Sequence, residues 1–128
     1  MRVLLVTVLA AAGLAFAAPA LAQRGAPPEQ GEGWYRQQLV DLAEVLGGSH
    51  YLRITCSGRS DQRWRDYMRG VMDREPSMSD ALRDAFNDGY RTEATRFPEC
   101  NSASQQTEAE LRARGMRIAS ALSAQNGQ

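Results

Sequence analysis

From Trp34 onward, apolar side chains recur at the spacing of a helix rather than a strand. Leu39, Leu42, Ala43 and Leu46 fall on one face, and the pattern continues through His50 toward Cys56, which predicts a first helix over 34–55. Gly47-Gly48 interrupts it, at about 1 kcal/mol per glycine relative to alanine, and marks either a kink or a close helix crossing. Ser57-Gly58-Arg59-Ser60 reads as a turn, with Ser60 placed to cap a second helix that runs to Arg74 and carries Trp64, Met68, Val71 and Met72 as its stripe. Pro76 ends it. Ser77 and Asp80 have capping-box spacing ahead of a third helix over 80–97, whose inner face is Leu82, Phe86, Gly89, Tyr90 and Phe97. Pro98 stops that helix, and Asn101 or Ser102 opens a fourth to Ala124, with Leu111, Gly115, Ile118 and Leu122 on one side. No segment alternates like a strand and no repeat is visible. The expectation is an all-α fold: a four-helix antiparallel bundle, up-down-up-down, with irregular orthogonal packing as its rival.

The residues ahead of this domain read differently. Arg2, the apolar run Val3 to Ala18 and the Ala20-Leu21-Ala22 pattern have the form of a secretory signal over 1–22, cleaved after Ala22. Residues 23–33, rich in glycine and proline, read as a flexible leader, and 34–126 as the helical domain. Position 23 is glutamine, which argues against a lipid anchor, and no later run is long enough to span a bilayer. The expectation is a periplasmic protein without stable membrane insertion. Its charge is balanced, 15 basic against 15 acidic residues with one histidine, so no basic field favours nucleic acid. All 15 basic residues are arginines, which codon bias explains without function.

Cys56 and Cys100 are the only cysteines, and an exported chain is expected to join them. Such a bridge ties the end of the first helix to the end of the third, makes those helices parallel and fixes their register. Projected at 100° per residue, His50 and Arg53 fall within the apolar arc of the first helix, and Glu93 falls between Phe86 and Gly89 on the third. His50 and Glu93 each lie roughly 9–10 Å from the disulfide level at 1.5 Å per residue. The expected result is one polar layer of His50, Arg53 and Glu93, joined by Trp64 and Thr107. Its first reading is a buried Arg53–Glu93 ion pair with His50 attached. Its second is a small-ligand site or an acid–base pair, and a kink at Gly47-Gly48 would instead turn these residues to the surface.

Other chemistry is sparse. His50 with Met68, Met72, Met78 or Met116 imitates haem ligation only loosely, and helically spaced methionines are normally core filler. No zinc motif, phosphate loop or nucleophile elbow is present, so neither metal nor cofactor is expected. A glycine in every helix suggests tight interhelical contact, and Trp34 and Tyr35 either cap the bundle or expose an aromatic patch.

Leu42-Ala43-Glu44-Val45-Leu46-Gly47-Gly48-Ser49-His50-Tyr51-Leu52-Arg53, then Cys56, Trp64-Arg65-x-x-Met68, Phe86-Asn87-x-Gly89-Tyr90-Arg91 and Cys100, together resemble an uncharacterised family of small exported alphaproteobacterial proteins. The resemblance covers about Leu39 to Ile118 and implies a periplasmic location, a helical domain and a paired Cys56 and Cys100. It implies no activity. The functional expectation is a non-enzymatic interaction or scaffold protein with an unknown periplasmic protein partner, serving the cell envelope. The alternative is a small-ligand binder using His50, Arg53 and Glu93, and a hydrolase or lyase built on His50 comes third.

Overall fold

The computed structural model describes residues 31–126, so the signal segment and most of the leader lie outside the described residues. Among the described residues four α-helices follow one another: α1 Glu32–Ser57, α2 Arg63–Arg74, α3 Ser79–Arg96 and α4 Ser102–Asn126, with a 3-10 turn, Pro76–Met78, before α3. The protein is an all-α bundle with its disulfide in place, Cys56 and Cys100 having Cα atoms 5.0 Å apart. Helix α1 starts two residues before Trp34, inside the segment read as leader.

Helix directions follow from which residues meet. A β-carbon on Gly89 would touch the Glu44 carbonyl and one on Gly48 the Glu93 side chain, while Gly47 meets Phe86 and Tyr51 meets Tyr90. Both rows advance together along α1 and α3, so these helices are parallel. On α4 the order reverses: Val45 faces Gly115, Gly48 faces Leu111, Arg53 pairs with Glu108, and Cys56 approaches Ser104. That pair is antiparallel, as is α1 with α2, where Tyr35 reaches Glu75 and Arg53 reaches Asp61.

The bundle is not four equal rods. Helix α1 packs on all three others, α2 touches α3 only lightly, and neither α2 nor α3 packs backbone to backbone on α4. Accordingly every residue from Val45 to Leu52 is buried, whereas α2 and α4 bury only isolated positions. This central placement is why His50 and Arg53 need not point to the side that faces Glu93. The core joins Leu39, Leu42, Leu46, Met68, Leu82 and Ile118. Gly47-Gly48 is a close crossing inside a continuous helix, and Trp34 and Tyr35 pack against the core rather than forming a patch. Gly70 departs from the pattern, because a β-carbon there would meet only the end of Arg74 at 3.8 Å.

Helix ends follow local chemistry. Gly58 closes α1 with φ +106° and its N–H on the Ile54 carbonyl, a conformation that glycine adopts without strain. Neither Ser60 nor Ser77 caps a helix: α2 begins at Arg63 after the Asp61 turn, and Ser77 lies within the 3-10 turn that drives Met78 into the core. At α4, Asn101 and Ser104 cap reciprocally: Ser104 N–H donates to Asn101 Oδ1, and Asn101 N–H donates to Ser104 Oγ, both at 2.8 Å.

Candidate functional site

The expected polar layer does not assemble. Arg53 sends its Nε to Asp61 at 2.9 Å and an Nη to Glu108 at 3.1 Å, clamping the α1–α2 turn and α4 onto the end of α1. Glu93 is buried against Gly48 on another row, and its carboxylate accepts from Arg96 of its own helix at 3.2 Å. The Arg53–Glu93 ion pair is thus corrected to two separate pairs, because Glu93 stands on the row of α3 that meets Gly48. The Thr107 hydroxyl donates to the Ala103 carbonyl one turn back and takes no part. Trp64 is half-buried in a different wall, its indole N–H without a partner among the described residues.

His50 of α1 packs against the other row of α3. Its ring centroid is 5.7 Å from Phe86 and 6.1 Å from Tyr90, and it is 6% exposed, with Nδ1 buried and unpartnered among the described residues. Burial first, then the charge of Arg65, pushes its pKa below the usual histidine value, against the opposing pull of Asp61 and Asp66. The unfolded chain binds that proton near pH 6.5. The neutral imidazole therefore contributes stability that is full above about pH 6.5 and is lost as pH falls through the lower folded value. His50→Leu should remove this slope and, by deleting a buried ring nitrogen without a partner, raise stability by about 1 kcal/mol. Urea midpoints at pH 7.5 and 5.0 check both; a slope as steep as in the parent would refute the assignment.

Asp61 is the hub of the polar contacts. Its carboxylate accepts from Arg53 and from Arg63 Nε, each at 2.9 Å, and these bonds hold its pKa at about 2. A depressed carboxylate stabilises above its unfolded value near 3.9 and loses that contribution as pH falls toward 2. Acid titration of the melting temperature should show a step between pH 4 and 2 that Asp61→Asn abolishes.

Of the openings that border α2, one of about 190 Å³ lies beside Tyr35, Arg74 and Glu75, and two others differ most in their lining. Between α2 and α4 lies an apolar groove of about 90 Å³ walled by Leu42, Val45, Leu46, Trp64, Leu111 and Gly115, with Ser49 at its floor. Tyr67 and Met116 stand at its edges, 45% and 66% exposed, and Arg112 also lines it. Between α2 and α3 lies a more polar cleft of about 290 Å³. Sequence periodicity gave no sign of either opening, since both are made by residues on different helices that stand apart. Among the described residues no three His, Cys, Asp or Glu side chains converge as a metal site would require, and no described helix is long and apolar enough to cross a membrane.

No curated protein and no solved structure matches the chain. Residues 34–126, which span the four helices except the first two residues of α1 and include both cysteines, match the family described as "Protein of unknown function (DUF2385)", and the chain belongs to that family.

Proposed function

We propose that this is an exported, periplasmic interaction protein of the cell envelope without chemistry of its own, within a family of small exported alphaproteobacterial proteins. Export rests on the Arg2, Val3–Ala18 and Ala20-Leu21-Ala22 pattern, and the Cys56–Cys100 bridge accords with it. The observation that carries the interaction reading is the groove between α2 and α4. An apolar channel rimmed by exposed apolar side chains is a surface suited to a protein partner. Here Tyr67 and Met116 stand exposed at the two lips of one apolar channel.

The occupant is a helical segment of a partner protein with an apolar face and a carboxylate. Leu111, Gly115 and Ala119 run along the groove for about 12 Å at 1.5 Å per residue, two turns of a helix. Arg112 at its edge has no carboxylate partner among the described residues, which gives the segment its required charge.

Photo-crosslinking groups placed at 67 and 116 in cells, with 88 on α3 as control, test this. The reading expects one adduct of the same mass from 67 and 116, lost on Arg112→Glu and absent from 88. An adduct insensitive to Arg112→Glu, or equally strong from 88, would overturn it.

A further inference from the structure

The second opening carries a different chemistry. Arg65 and Arg69 lie one turn apart on α2 and face Arg83 of α3 across the cleft, and Met68, Met72 and Phe86 supply the apolar part of its lining. No acidic side chain lines it. Arg65 has no carboxylate partner among the described residues, and Arg69 and Arg83 hold only exposed pairs within their own helices, to Asp66 at 3.4 Å and Asp80 at 2.9 Å. Exposed pairs of that kind are worth little and yield readily to a better acceptor.

The apolar part is firmly held. Met68 is buried in the core, and the Phe86 ring packs on His50 beneath it. The cleft exists because α2 and α3 diverge from the Pro76–Met78 turn and touch only lightly. Its volume of about 290 Å³ falls just below the range common for small-molecule sites, roughly 300–1,000 Å³, which limits it to a small ligand.

We propose that the cleft between α2 and α3 binds a small amphiphilic anion, its carboxylate or phosphate held by Arg65, Arg69 and Arg83 and its short apolar body laid on Met68, Met72 and Phe86. Guanidinium groups match the planar and tetrahedral faces of those anions through paired N–H donors. Thioether side chains adapt to an apolar body of varied shape. Asn87 at the rim adds a further hydrogen-bonding group. A bare inorganic anion leaves the methionine and phenylalanine surface unused, and a neutral amphiphile leaves the arginines unused. The site occupies the other flank of α2 from the groove and stands independently of the interaction reading.

Calorimetric titration of the oxidised protein with octyl phosphate and with octanoate tests the proposal, beside octylamine, inorganic phosphate and phosphatidylglycerol vesicles. Octyl phosphate or octanoate should bind, with inorganic phosphate at least 10-fold weaker and octylamine not at all. The paired change Arg65→Ala and Arg83→Ala should weaken binding 10-fold or more while leaving the melting temperature in place, since both side chains are exposed. Arg112→Ala, in the other opening, should leave affinity unchanged. Octylamine binding as well as the anions, affinity indifferent to the paired arginine change, or binding to vesicles but to neither monomeric anion would each overturn the proposal, the last by showing a membrane contact instead.

Discussion

Replacing Cys56 and Cys100 together by alanine is expected to cost about 4 kcal/mol, the loop-closure value for cysteines 44 residues apart. A domain of this size is commonly stable by 5–15 kcal/mol, so the loss takes a large part of the whole. It should lower the melting temperature by roughly 15–30 °C. The bridge joins the last turn of α1 to the segment between α3 and α4, where Tyr51 also donates its hydroxyl hydrogen to the Phe97 carbonyl at 2.5 Å and Ser104 completes the cap of α4. Reduction should therefore loosen the ends of α1 and α3 and the start of α4 together, and hydrogen exchange at residues 97–104 should rise first. A melting temperature indifferent to reductant would show that helix packing alone fixes this end.

Gly47→Ala and Gly89→Ala are expected to be nearly as damaging, each by about 3 kcal/mol, at the upper end for overpacking. A β-carbon on Gly47 would lie 1.8 Å from the Phe86 carbonyl oxygen, and one on Gly89 would lie 1.9 Å from that of Glu44. Each helix thus receives the other's backbone at its own glycine. The obstacle in both cases is main chain, which no rotamer change can move, so the two helices must separate and the core between them opens. The helix-propensity gain of about 1 kcal/mol from alanine offsets only part of this. Gly70→Ala provides the contrast: with only the tip of Arg74 nearby, it should gain about 0.5–1 kcal/mol. Urea denaturation of the three variants reads the difference directly. Equal effects at 47, 70 and 89 would contradict the crossing.

Much of the architecture was legible before any coordinates. Pro76 and Pro98 place the stops of α2 and α3, the apolar stripes place all four helices, and two lone cysteines give both the bridge and the parallel course of α1 and α3. The candidate site was legible only in its membership. His50 and Glu93 are indeed both buried, yet at separate rows of the α1–α3 contact, His50 of α1 against Phe86 and Tyr90 and Glu93 of α3 against Gly48. Angular projection shows that a side chain turns inward. It does not show which neighbour it meets when the helix is surrounded on every side, as α1 is.

The partners of Arg53 illustrate the same gap. Asp61 lies in a turn and Glu108 on α4, and neither carries a periodic signal that would single it out. Likewise Arg65, Arg69 and Arg83 look like ordinary solvated positions along the chain, and become a cluster only because α2 and α3 diverge.

Helix order, the proline stops of α2 and α3 and the covalent closure were set by the sequence alone, because proline, apolar spacing and a single cysteine pair act through local geometry and bonding. The tertiary structure alone decided that α1 is the axis, that Gly47 and Gly89 each receive a carbonyl of the facing helix, and that an arginine cleft and an apolar groove open beside α2. These depend on the distance and rotation between helices, which many distant side chains set jointly and no local run of residues encodes.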